Sequence, residues 1–354
     1  MGDQAGAAAR RPGAPRCFAS AAIAADCALF TATQANAGVA RCARSRQGRG
    51  AVNLQYALLA VSIVLLAGAV SADDVEPRRW TPLPIGTTVL GVGVVRGQGD
   101  VAFDPVLKVT DATVKITTTV LSLLRAFDLF GRTARLDVRL PQQHARWEGL
   151  LDGVPGTADR RGLADPSLRL AVDLLGAPAL RGADFNAYRA AHPVNTVVGA
   201  AVTLNMPLGE YQEDKLLNLG QNRFAIQPQL GVVHTRGPRS FELTGSVAFF
   251  TDNNHFMVHR TRGQDPVLLL QGHSVYIAPS GWWVSLGTAY DWGGRSTVDR
   301  VVKDDYREDL LYGISAGLAL SPKLSVQIAY VANRAQTEVG SDTDNLGLGF
   351  FARF

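Results

Sequence analysis

Apolar and polar residues alternate along much of the chain. Between Ala134 and Leu140, Ala134, Leu136, Val138 and Leu140 share one parity, and Arg135, Asp137 and Arg139 take the other. Leu168 to Leu174 repeats the pattern with Arg169 and Asp173 opposite apolar positions. Val198, Ala200, Val202 and Leu204 oppose Gly199, Thr203 and Asn205; Phe224, Ile226, Leu230 and Val232 oppose Gln227 and Gln229. Phe241, Leu243, Val247 and Phe249 oppose Glu242, Thr244 and Ser246. Nearer the end, Leu324, Val326, Ile328 and Tyr330 oppose Ser325, Gln327 and Asn333, and Leu346, Leu348, Phe350, Ala352 and Phe354 oppose Gly347, Gly349 and Arg353. A period of two sorts side chains onto the two faces of a β-strand.

Soluble sandwiches alternate too, so length and spacing must decide. The segments run roughly 10–13 residues, against ~5–6 for soluble strands, which suits a tilted membrane strand. Tight turns at Arg236–Arg239, Pro279–Gly281 and Ser321–Lys323 alternate with polar stretches at 207–222, 251–265, 293–308 and 336–343. Short turns at one end and long loops at the other are the habit of outer-membrane barrels. Aromatics collect at segment ends: Tyr276, Trp282, Trp283 and Phe354 at the turn end, Phe249, Tyr290, Trp292, Tyr312 and Tyr330 at the loop end. Segments beginning near Thr87, Thr113, Gly131, Pro166, Pro193, Asn222, Ser240, Pro266, Trp282, Asp309, Lys323 and Asp344 make about twelve strands. The expected fold is an all-β, transmembrane, antiparallel up-and-down β-barrel over residues 73–354. The stretch 176–193 is long where a short turn is due.

One continuous apolar run, Ala57 to Ala72, ends in Val70-Ser71-Ala72 and follows Arg44, Arg46 and Arg49. It is short for a membrane helix and has the layout of a signal peptide at 51–72, cleaved after Ala72. Residues 1–50 lack hydrophobic periodicity and read as a disordered extension or as translation from a start codon placed too far upstream. Charge follows the same division. Of 35 basic residues, seven arginines precede residue 73 with only two of the 31 acids, so the remainder is within one charge of neutral. The net +4 therefore gives no argument for nucleic acid binding. The three cysteines, Cys17, Cys27 and Cys42, also lie upstream, which leaves the remainder without thiol chemistry.

From about residue 194 the chain resembles the outer-membrane transporters named for the MetA pathway of phenol degradation. The likeness rests on Met206-Pro-Leu-Gly-Glu-Tyr211, Asn218-Leu-Gly-Gln-Asn-Arg-Phe224, Phe249-Phe-Thr-Asp-Asn-Asn254, Gln264-Asp-Pro266, Gln271-Gly-His-Ser-Val-Tyr276 and Tyr290-Asp-Trp-Gly-Gly-Arg295. Upstream, Gly162-Leu-Ala-Asp-Pro166 is similar to a Gly-Asp-Pro segment of that family, with Ala164 in place of the glycine. The resemblance implies a barrel with aromatic or apolar cargo. Barrel proteins of the outer membrane in general are similar in ending on an aromatic residue, which makes Phe350 and Phe354, on the closing strand, the expected C-terminal signal to the barrel assembly machinery.

Candidate chemistry is sparse. His273 and Ser274 are adjacent and so point to opposite faces of a strand, and no Gly-x-Ser-x-Gly occurs. His255 and His259 have a helical metal-ligand spacing but sit in a polar loop. Asp304, Asp305, Glu308 and Asp309 could hold Ca²⁺, or form a solvated loop bridged to lipopolysaccharide by divalent ions. Gly91, Gly93, Gly97 and Gly99 have no following helix to make a nucleotide fingerprint. No metal or cofactor is expected. The alternation nominates Lys115, Arg135, Asp137, Arg139, Arg169, Asp173, Gln227, Gln229, Glu242, Gln271 and His273 as lumen-lining residues. The expectation is an outer-membrane channel or transporter for a small solute, with outer-membrane lipid and lipopolysaccharide as its surroundings. Its alternatives are a barrel enzyme of the lipase or deacylase type and a structural barrel with a plugged lumen.

Overall fold

The computed structural model describes residues 75–103 and 109–354; the expected signal peptide, its cleavage at Ala72 and the extension 1–50 lie outside them. Seventeen strands and one helix follow in order: β1 (Thr88–Ala102), β2 (Val109–Leu129), β3 (Arg132–Leu151), β4 (Val154–Leu163), β5 (Ser167–Leu175), α1 (Gly182–Ala191), β6 (Val194–Asn205), β7 (Ala225–Arg236), β8 (Arg239–Phe250), β9 (Asn253–Phe256), β10 (Arg260–Gln264), β11 (Val267–Ile277), β12 (Trp282–Gly293), β13 (Ser296–Val298), β14 (Val301–Val302), β15 (Arg307–Ala319), β16 (Leu324–Ala335) and β17 (Gly340–Arg353).

Twelve of these strands (β1–β3, β5–β8, β11, β12 and β15–β17) close into an antiparallel barrel, because β1 pairs with β17 on one side and β2 on the other. Closure leaves no unpaired edge in lipid. The usual hydrophobic order is inverted: leucines such as Leu230 and Leu286, both 63% exposed, stand outside, while Gln229, Glu242 and Gln271 are buried. At one end the strands join through tight turns. Gly131 (φ +79°) and Gly237 (φ +58°) take the left-handed backbone these turns need, and Asp128 accepts the Gly131 N–H at 2.7 Å.

Three features were not expected from the alternation. The strands β2 and β3, of 21 and 20 residues, rise far beyond a membrane span. The segment 176–193, long where a short turn was due, contains α1 at the turn end. The polar stretches 251–265 and 293–308 fold into a second sheet, ordered β14-β13-β10-β9. The wall also has one interruption. The upper half of β3 pairs with β4 and its lower half with β5, so β4 and β5 form a single descending strand broken at Ala164-Asp165-Pro166. Pro141 and Pro166 lack the N–H groups that would continue the ladder across the break. Asp165 secures it instead, accepting the N–H of Gly209 at 2.9 Å and of Gln221 at 2.8 Å from the 206–224 loop.

Candidate functional site: the lumen and its strap

Residues 75–87 show no alternation, and they do not join the wall. They form a strap inside the barrel, where Val75, Glu76, Arg78, Arg79, Trp80 and Leu83 are all buried. Val75 packs among Ala248, Val267, Leu269, Ala289, Leu311 and Val331, which are inward residues near the loop ends of β8, β11, β12, β15 and β16. Leu83 packs on Val89, Val120, Leu124, Ala126 and Phe351 toward the turn end. There Gly86 N–H donates to Ala126 O and Ile85 N–H to Leu180 O, both at 2.9 Å. The strap thus runs most of the height of the lumen.

Trp80 anchors its middle. The indole is 1% exposed, sits against Ala171, Ala177, Val197, Ala201 and Val233, and donates Nε1–H to Thr244 Oγ1 at 2.8 Å. It fits because the wall is glycine beside it. A Cβ on Gly231 would lie 2.0 Å from the indole and one on Gly199 2.5 Å away. The Arg169 guanidinium covers the ring at 4.9 Å from its centroid. Below Val75, Arg78 N–H donates to Glu242 Oε2 at 2.7 Å, and its guanidinium lies 5.4 Å from the Trp283 ring centroid. Glu76 receives Arg139 at 2.5 Å and Arg79 at 3.5 Å.

The wall's own charges run along one side. Arg135 Nε bonds Asp137 at 3.0 Å, Asp137 also meets Arg169 at 3.4 Å, and Arg169 Nε donates to Gln229 at 3.0 Å. Gln229 lies 3.5 Å from Thr203, and Gln227 donates to Ser246 at 3.0 Å. Asp173 lines a small recess beside the strap with Arg79, Thr133 and Arg135. Gln271 and His273 complete the inward set, His273 against Gly287 and close to Val75.

Lys115 does not belong to this set. The inward parity of β2 is taken by Val114, Thr118, Val120 and Leu124, so Lys115 stands exposed on the outer wall. Alternation near that strand's polar upper end cannot tell the faces apart, since neither meets lipid. Trp283 is a second correction: it is 1% exposed and turned inward, not at the membrane boundary. Tyr276 and Trp282 stay outside, with ring centroids 5.7 Å apart. The outer face also holds Phe350 and Phe354, and Phe354 closes the barrel seam through backbone bonds to Thr88.

Other candidates disperse. Ser274 is exposed on the outer face while His273 is buried within, so the two cannot meet. His255 pairs with Glu213 at 3.3 Å, in β9 rather than on a helix. The acidic residues divide: Asp305 accepts Ser296 N–H at 2.7 Å, Glu308 accepts Tyr290 OH outside, and Asp309 turns inward to Arg307. Sequence reasoning missed the strap altogether. Its signal was weak: a tryptophan preceded by Glu76, Arg78 and Arg79 in a stretch without alternation.

A closed twelve-stranded barrel with an apolar exterior is the architecture of outer-membrane proteins. The chain belongs to the family described as "Putative MetA-pathway of phenol degradation", whose model matches residues 93–354. It is similar in fold to an outer membrane channel from Pseudomonas putida F1, with a TM-score of 0.64 and 24% identity over 78% of this chain and 99% of that one. Autotransporter barrels are more distant. The transport unit of AIDA-I from Escherichia coli gives a TM-score of 0.43 at 8% identity, covering 86% of this chain and 97% of that one. The translocator domain of NalP from Neisseria meningitidis gives 0.42 at 11%, covering 78% and 91%. No functionally curated protein matches.

Proposed function

We propose that the protein is an outer-membrane channel for small apolar or aromatic solutes, and that its strap is the element limiting passage. The observation that carries this reading is the lining of the lumen. Water-filled barrels are polar inside, yet this inner wall presents three apolar clusters, each filled by one strap residue: Val75, Trp80 or Leu83. A strap that shifts uncovers apolar surface of the kind an aromatic solute would occupy. Membership of a family named for phenol degradation, and likeness in fold to an outer membrane channel, support this reading.

The two alternatives find less support. An outer-membrane hydrolase needs a nucleophile and base within hydrogen-bond reach, and the wall separates His273 from Ser274. A lumen plugged by its own wall would need charges bridging opposite sides, whereas the Arg135–Asp137–Arg169 network follows neighbouring strands. Single-channel conductance of refolded protein, with and without phenol, tests the proposal. Small steady currents interrupted by phenol are expected. A barrel that folds into bilayers but passes no current, with or without solute, would overturn it.

A further inference from the structure

The outer wall divides into two kinds of boundary at the loop end. Across β12, β15 and β16 it is marked by Tyr290, Tyr312 and Tyr330. Tyr290 bonds Glu308 at 2.9 Å, Tyr330 bonds Asp344 at 2.7 Å, and Arg334 covers the Tyr312 ring. Across β1–β4 no aromatic takes that position. The outward apolar residues Val92, Leu121, Leu140 and Leu163 give way higher on the same face to Arg161 on β4 after one row, Arg96 on β1 and His144 on β3 after two, and Lys115 on β2 and Arg146 on β3 after three, all exposed.

Strand register brings these basic side chains together. Lys115 is the direct partner of Arg146, His144 is the direct partner of Arg161, and Thr117 links the His144 row to Arg96. With strands ~4.8 Å apart and alternate residues ~6.8 Å apart, they occupy a patch about 15 Å across. Two carboxylates share it: Asp159, at 3.2 Å from His144, and Glu148, at 2.8 Å from Arg146. Arg96, Lys115 and Arg161 have no carboxylate partner among the described residues, so four fixed cations face two anions.

We propose that this patch is a binding site for the phosphate groups of an anionic outer-leaflet glycolipid of the lipid A class. The inference rests on the membrane-barrel reading and extends it. Cations set directly above an apolar wall match a molecule whose phosphates sit at the water boundary and whose acyl chains run down the strands. Guanidinium groups bind phosphate through paired N–H donors, and clustered cations beside a bilayer draw anionic lipid.

The test is retention of bis-phosphorylated lipid A by the detergent-solubilised barrel, read by native mass spectrometry. Wild type is compared with the triple variant Lys115→Gln, Arg146→Gln, Arg161→Gln, and with a control pair, Arg239→Gln and Lys323→Gln, at the turn end. The triple variant should retain about tenfold less lipid A, the control as much as wild type, and phosphate-free lipid A should bind weakly to all. Equal retention by the triple variant, equal binding of phosphate-free lipid A, or loss in the control pair would overturn the site. Displacement by millimolar inorganic phosphate would make it a free-anion site and overturn the lipid assignment. Folding into bilayers, read by heat-modifiable gel mobility, separates the two levels: an unfolded wild type sinks the barrel reading, whereas a folded barrel without retention sinks only the lipid site.

Discussion

Replacing Trp80 with alanine should loosen the strap without opening the barrel. The side chain is buried among five apolar residues and donates one hydrogen bond, to Thr244. Deleting a buried tryptophan costs about 3–5 kcal/mol. At 1.4 kcal/mol per tenfold, undocking of the strap should rise by roughly 10² to several times 10³-fold. No wall contact between strands involves Trp80, so strand pairing should persist. Gly231→Ala reaches the same end by the opposite route, since its Cβ would need space 2.0 Å from the indole. Hydrogen–deuterium exchange over residues 75–87 reads the effect, because Arg78 N–H is held by Glu242 only while the strap is docked. Both variants should exchange on the order of 10²-fold faster there, with the barrel amides of β6–β8 unchanged. Unaltered strap exchange in both variants, with folding intact, would refute the idea that Trp80 holds the strap.

Other outcomes follow from the same geometry. Leu136→Arg places a charge toward lipid at a cost of roughly 2–4 kcal/mol and should lower folding yield into vesicles; Arg135→Leu, facing the lumen, should fold and alter ion selectivity, and the reverse pattern would mean the register of β3 is wrong. Asp165→Ala strands the N–H groups of Gly209 and Gln221 at about 1–3 kcal/mol each if they stay buried; faster proteolysis within 206–224 should report it, and an unchanged cleavage rate would argue against the anchoring role. N-terminal sequencing of membrane-extracted protein should begin at Asp73, and a mature chain that keeps residues 1–56 would contradict the signal-peptide assignment.

The wall of this barrel was readable because lipid enforces alternation. Leu136 and Val138 outside, with Arg135 and Asp137 inside, is a pattern that a bilayer and a buried ion network impose on one strand from opposite sides. Legibility failed where that constraint lapsed. Lys115 stands above the apolar band, where both faces of β2 tolerate polarity. Trp283 carries the residue type of a boundary anchor yet fills the lumen beside Arg78, a contact set by a strap 200 residues away in sequence. The strap itself has no period, since its environment is a closed interior rather than two faces. Its counterparts in the wall include the small residues Gly199 and Gly231, whose inward positions make sense once Trp80 is placed against them.

In the channel proposed above, solute passes through a lumen restricted by the strap. Single-channel current of Trp80→Ala beside wild type, with phenol and then a sugar of similar size on one side, tests it most directly. The variant should carry a larger current, with phenol interruptions beginning at lower concentration and little response to the sugar. Identical currents in the two proteins, or interruptions that do not distinguish phenol from sugar, would contradict it.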